Sequence, residues 1–255
     1  MNISSFPIDE VVTYTSQDGV ATIMINRPDK MNAISTEVEI GLMRAWQRFN
    51  ASNDDRVAVL TGAGDRAFSA GRDLLTTEPP DYRRFTPGVV IQVDKPVIAA
   101  VAGWCVGGAL VLVQMCDLCV AAENARFTYP EAKMGFAGGL IGSLVGRIPH
   151  KVAMEIMLLG EELSAERAYQ VGFVNKVVPV GQQLVEAQAM ARRMATYAPL
   201  VMGMLKRFAN DVLPKGPVER SAMALRETEA VFGSADFAEG LASLREKRKP
   251  TFRGR

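Results

Sequence analysis

Residues 98–116 read IAAVAGWCVGGALVLVQMC, nineteen positions without a charge. That length is close to the ~20 apolar residues that let a helix cross a membrane. The internal punctuation argues against a single helix. Pro96 biases its neighbourhood to extended backbone, and Val97 and Ile98 are β-branched. Gly103, Gly107 and Gly108 interrupt the run, and helical spacing begins only at Gly108. Gln114 and Asp117 fit poorly in lipid. The stretch therefore reads as a buried strand over 96–101, a turn of small residues over 103–108 and a core helix from Gly108. A buried strand running through a turn into an apolar helix is the repeating unit of an α/β protein.

The same alternation extends in both directions. Upstream, 11–14 and 20–25 are strand-like runs joined by Gln17-Asp18-Gly19, which predicts a hairpin. Thr36 and Glu39 have capping-box spacing, and Val38, Leu42, Met43, Trp46 and Phe49 recur at helical spacing. Residues 57–60 read as another buried strand. Downstream, strands are expected over 118–121, 127–129 and 173–178, with helices after Gly142 and over 164–171. From Gln182 to about Lys247 the pattern is only helical, broken at Pro199, Pro214 and Pro217. The expected organisation is an α/β core over 1–195 and a helical region over 196–255. Residues 76–87, with three prolines and several charges, read as a mobile surface loop.

Composition narrows the function classes. The chain has 255 residues, 48% hydrophobic and 22% charged, with a formal net charge of +1. That balance gives no bulk electrostatic reason to expect nucleic acid or a membrane surface as partner. The opening MNISSFPIDEVV shows neither a basic nor an apolar leader segment, and three cysteines cannot all pair, so a reducing cytoplasm is expected. Cys116 and Cys119 form a C-x-x-C, but only Cys105 and the lone His150 could complete a four-ligand zinc set. Buried small hydrophobes are the simpler reading, and no metal site is expected. A single histidine also disfavours Ser-His-Asp or Cys-His catalysis.

Three local motifs carry chemistry. TGAGDRA, residues 61–67, matches a dinucleotide fingerprint with Asp81 downstream, but no helix-forming sequence follows it, so a glycine-rich turn is expected. The segments Phe68-Ser69-Ala70-Gly71-Arg72-Asp73 and Gly103-Trp104-Cys105-Val106-Gly107-Gly108 each place small residues just after a strand. There they serve either close packing or the approach of backbone amides to a ligand. The second segment opens a helix, whose first amides lack intrahelical partners and favour negative charge. Two such sets of amides suit an oxyanion hole. Tyr129-Pro130-Glu131 marks a helix start, and its acid reads as structural or catalytic.

Taken together, INRPDKMNAIS, AFSAGRDL, KPVIAAVAGWCVGGALVLVQMCDLCVAA, ARFTYPEAKMGF, AYQVGFVNKVV and the terminal EKRKPTFRGR resemble the crotonase superfamily, the enoyl-CoA hydratase/isomerase family. The resemblance covers nearly the whole chain. It implies a crotonase-like spiral of ββα units with a C-terminal helical region that assembles trimers, often as a dimer of trimers. It further implies acyl-CoA thioester substrates, with coenzyme A part of the substrate and no separate cofactor. On this resemblance Ala70 and Gly108 match the oxyanion donors. Lys30, Asn32, Ala70, Gly71, Arg72, Asp73 and Gly107 match the CoA path, and Lys247 a lysine that meets CoA phosphates of a neighbouring subunit. Leu244 stands where an aromatic residue is usual.

Hydratases of this family use two glutamates. Glu131 stands at the second position, whereas Val111 occupies the first, one helical turn beyond Gly108. A valine neither activates water nor delivers a proton. The loop Gly135-Phe136-Ala137-Gly138-Gly139 also lacks the proline usual there, and Met134, Phe136 and Trp104 are expected near the acyl pocket. One carboxylate limits the chemistry to double-bond isomerisation or one-base hydration and dehydration. The alternatives are decarboxylation or thioester hydrolysis with groups from the 76–87 loop, or a non-catalytic acyl-CoA-binding homologue, in one version with the basic tail 245–255 on RNA.

Overall fold

In the computed structural model, which describes residues 8–76, 81–136 and 138–255, strands alternate between two sheets. β1 (Val12–Gln17) and β2 (Val20–Ile25) form the expected hairpin. Asp18 and Gly19 both take positive φ, 53° and 77°, which matches the right-handed twist of the paired strands. β3 (Val57–Gly62) lies parallel to β2 and is followed by β4 (Ala67–Ser69), the first strand of the smaller sheet. β5 (Val97–Val101) returns to the large sheet, β6 (Trp104–Val106) to the small one, and helix Gly108–Gln114 follows. β7 (Leu118–Ala122) and β8 (Arg126–Thr128) repeat the step and lead into the short helix Glu131–Met134. β9 (Leu163–Ser164) and β10 (Lys176–Val178) complete the sheets around helix Ala165–Gln170. The large sheet has the order β1-β2-β3-β5-β7-β10 and the small one β4-β6-β8-β9. This is the expected spiral of ββα units.

β3, β5 and β7 are almost wholly buried, because both faces of the large sheet are covered. One face carries the main core, with Trp46 and Phe49 of helix Thr36–Ala51. The other face, through Val59, Ile98 and Val120, meets Ala187 and Ala191 of helix Gln183–Ala195. Beyond it come helices Pro199–Val212, Pro217–Phe232 and Ala235–Glu246. The last break falls at Gly233 and Ser234, where the Ser234 hydroxyl accepts from the Phe237 amide. No proline marks that break.

Four local expectations change. Thr36 is not a cap: the helix starts on it, and the preceding Ser35 donates its hydroxyl to Glu37 instead of capping. The helix expected after Gly142 is a 3-10 run over Gly139–Gly146, with helical turns resuming at His150. The 103–108 turn contains β6, because its backbone pairs with β4 and β8. Residues 77–80 of the expected mobile loop lie outside the described residues. Its remainder is anchored: helix Tyr82–Phe85 buries Phe85, whose carbonyl accepts from the Trp46 indole at 2.9 Å. Among the described residues no helix is long and apolar enough to cross a membrane.

Candidate active site

β4, β6 and β8 are parallel, so their C-terminal ends lie side by side. Onto those ends the sequence places Ala70–Arg72, Gly107–Gly108 and Tyr129–Glu131, the three segments that carried chemical motifs. Together with helix Tyr82–Phe85 and the 134–140 loop they enclose a cavity of about 730 Å³. Such crevices at the carboxyl ends of parallel strands are where α/β folds bind ligands, since loops diverge there and leave backbone groups unpaired.

Two glycines make the floor. Gly71 (φ 81°) and Gly107 (φ 58°) adopt backbone that L-residues rarely take. A Cβ on Gly71 would lie 2.6 Å from the Val106 carbonyl oxygen, and one on Gly107 would overlap Glu131 Oε1. The Glu131 carboxylate therefore lies directly against the Gly107 backbone. Gly107 in turn donates its amide to the Thr128 carbonyl at 2.9 Å, which ties β6 to the strand leading to Glu131. Gly108 is the first residue of its helix, so its amide has no intrahelical acceptor.

Glu131 is the first residue of its short helix, after Pro130. Its Oε2 is buried without a hydrogen-bond partner among the described residues. Burial pushes its carboxyl up to about 7, only partly opposed by its own backbone amide. Val111 also lines the cavity and is 4% exposed, so the expected second acid position does face the site and is apolar. Asp81 lines the cavity too, but it is engaged. Arg83 binds it at 2.7 and 2.9 Å, and although burial raises its carboxyl, the Arg83 hydrogen bonds and charge bring it below the ordinary value.

The opposite wall is apolar, formed by Met134, Phe136, Leu140 and Val218. The Tyr129 hydroxyl donates to the Gly138 carbonyl at 2.8 Å and so pins the glycine-rich loop, whose Ala137 lies outside the described residues. Met134 and Phe136 are where the sequence suggested. Trp104 is not: it starts β6, at the end away from the cavity, and does not line it. Val218, from the C-terminal helices, had no signal in the sequence, because only folding brings helix Pro217–Phe232 against the 3-10 run.

Several other expected site residues are engaged within the protein or lie off this cavity. The Ala70 amide donates to the Met31 carbonyl at 2.9 Å, so it is already engaged and does not serve as the first oxyanion donor. Ile34 bridges Arg72 in parallel, through Ile34 N–H to Gly71 O and Asp73 N–H to Ile34 O. In that geometry the backbone N–H of Arg72 itself turns to the other edge of the strand, away from Ile34. The amide that faces away from Ile34 thus lies two residues beyond Ala70, one strand period.

Asn32 is 1% exposed and its side chain is spent on structure. Its Oδ1 accepts from Arg27 N, and its Nδ2 donates to Ala63 O and Ala67 O at 3.0 and 2.7 Å. Asp73 pairs with Arg27 at 2.9 Å, and although burial opposes it, that partner lowers its carboxyl below the ordinary range. Neither side chain lines the cavity, whereas Arg72 does, with Nη2 donating to Thr76 O at 2.9 Å. Lys30 ends an exposed 3-10 turn. Lys247 closes the last helix in left-handed backbone, exposed and away from the cavity lining. The thiols of Cys105, Cys116 and Cys119 are pushed up by burial, as packed apolar groups are.

Comparison with known proteins agrees with this architecture. The family described as "Enoyl-CoA hydratase/isomerase" matches residues 15–255. The (E)-benzylidenesuccinyl-CoA hydratase of Thauera aromatica is 36% identical, over 95% of this chain and 99% of that one. The carnitinyl-CoA dehydratase of Salmonella typhi is 34% identical, over 97% and 100%. Among solved structures, carnitinyl-CoA hydratase from Mycobacterium avium superposes with a TM-score of 0.74 at 34% identity, covering 96% of this chain and 99% of that one. A match along almost the whole chain, with the two-sheet spiral and the cavity at its strand ends, places this protein in the enoyl-CoA hydratase/isomerase family.

Proposed function

We propose that this enzyme adds water to, or removes it from, acyl-CoA thioesters through an enolate, with Glu131 as the single acid/base. The observation that carries this reading is the Glu131 carboxyl, buried without a partner at Oε2 among the described residues and lying against Gly107, opposite an apolar cavity wall. The thioester oxygen lies between the backbone amides of Gly108 and Arg72. Ionised Glu131 removes the α-proton, negative charge moves onto that oxygen, and the two amides stabilise it. In dehydration the enolate electron pair then returns to form the double bond, and the β-hydroxyl takes the proton from Glu131 and leaves as water. The names of the relatives, hydratases and dehydratases of CoA thioesters, favour this direction.

Val111 favours a second reading on the same machinery. Moving a double bond from the 3,4 to the 2,3 position needs only one base, which returns the proton at the γ-carbon. Turnover of a panel of 2-enoyl, 3-enoyl and 3-hydroxyacyl thioesters separates the two readings. No turnover of any of them, with CoA thioesters still bound, would replace both with a non-catalytic binding role.

The region 196–255 serves self-association into a trimer or a dimer of trimers, attached to the catalytic core 1–195. In support, helix Pro199–Val212 exposes Leu200, Leu205, Phe208 and Val212, with only Gly203 buried. Lys247 would meet CoA phosphates across such an interface. Three free thiols suit a cytoplasmic setting.

A further inference from the structure

One cavity group takes no part in the mechanism above. Tyr82 belongs to the helix Tyr82–Phe85, in the segment that reads from sequence as a surface loop. Its ring leans on Phe85 with centroids 5.0 Å apart, and a Cβ on Gly108 would overlap both the ring and the hydroxyl. The phenol therefore lies on the Gly108 backbone, while Glu131 lies on that of Gly107, and consecutive Cα atoms are only ~3.8 Å apart. Among the described residues the Tyr82 hydroxyl has no hydrogen-bond partner. A hydroxyl that lines a ligand cavity and is not spent on the protein can donate to a ligand oxygen.

We propose that Tyr82 is a catalytic residue, whose hydroxyl donates a third hydrogen bond to the thioester oxygen beside the Gly108 amide. This rests on the acyl-CoA reading above. The bond strengthens as charge develops on that oxygen, so it acts on the transition state more than on the bound substrate. Burial, and then the nearby Glu131 charge, push the Tyr82 phenol up, which keeps it a donor at neutral pH. With one carboxylate for proton transfer, more of the catalysis falls to holding the enolate, the part given to Tyr82.

The test pairs Tyr82→Phe with a chromophoric arylacryloyl-CoA whose absorption moves to the red as its carbonyl is polarised. Tyr82→Phe keeps the ring contact with Phe85 and removes only the hydroxyl. The expected result is a smaller red shift than in the wild type, a fall in kcat of about 10²-fold and little change in Kd. A merely structural ring would leave the red shift unchanged. An unchanged shift and rate in Tyr82→Phe overturns the proposal but leaves the acyl-CoA reading intact. A wild-type protein that neither shifts the probe nor turns over any thioester overturns both. Tyr82→Ala is the second variant: faster turnover and tighter binding there would show the ring to be a plug and would also overturn the proposal.

Discussion

The pH dependence of kcat/KM tests Glu131 most directly. In dehydration and in double-bond isomerisation the free enzyme must present Glu131 ionised so that it accepts the α-proton. With its carboxyl raised to about 7 by burial, only about 9% is ionised at pH 6 and about 1% at pH 5. The profile should therefore fall tenfold per unit below about pH 7 and level off above it. An ordinary glutamate, at ~4.3, would leave the rate nearly flat down to pH 5.5. Stability should move the opposite way. A carboxyl raised in the folded state binds its proton more tightly there, so folding is favoured below the unfolded pKa and loses stability as pH climbs from about 4.5 to about 7. Glu131→Gln removes that penalty. At pH 8 it should raise stability by about 1 kcal/mol after allowance for screening at a partly exposed group, or ~2–4 °C in Tm. The gap should close below pH 4.5. The same variant should lose turnover while keeping CoA binding. Steady-state kinetics from pH 5 to 9 and thermal melts at pH 4, 6 and 8 provide both readouts. A rate that stays flat to pH 5.5, or a Glu131→Gln protein that still turns over, refutes the reasoning.

Other substitutions probe separate parts of the site. Val111→Glu places a second carboxylate beside Glu131 and should raise the rate of water addition to 2-enoyl thioesters; no gain, by absorbance assay, would mean the cavity is shaped for one-base chemistry. Asn32→Ala strands three backbone partners, of which Ala67 O is buried, and should cost about 2–4 kcal/mol, seen as a lowered urea midpoint. Tyr129→Phe frees the loop at Gly138; it should cost about 1 kcal/mol and raise KM more than it changes kcat. Phe208→Lys, on an exposed apolar helix face, should reduce the sedimentation coefficient if that face is the assembly surface.

Much of this molecule is legible in local pattern. Strand-turn-helix order over 96–116 excludes a membrane span, the hairpin turn follows from Asp18-Gly19, and Glu131 and Val111 keep their expected places at the cavity. These features depend on periodicity, backbone freedom and residue chemistry, which the chain carries along its length. Other features depend on partners far away in sequence. Whether Ala70 or Arg72 turns its amide to the ligand is decided by pairing with Met31 and Ile34, since a strand's successive amides alternate between its edges. Asn32 matches the CoA path in sequence, and folding commits its side-chain hydrogen bonds to Arg27, Ala63 and Ala67. Tyr82 read as loop because a four-residue helix has no periodicity to detect; the buried Phe85 and the Trp46 indole hold it over Gly108. The apolar run at 98–116 thus determined the kind of fold, with a helix opening on Gly108. Only the tertiary structure decided which groups face that glycine, because strand edges and loop anchors are set by contacts between distant residues.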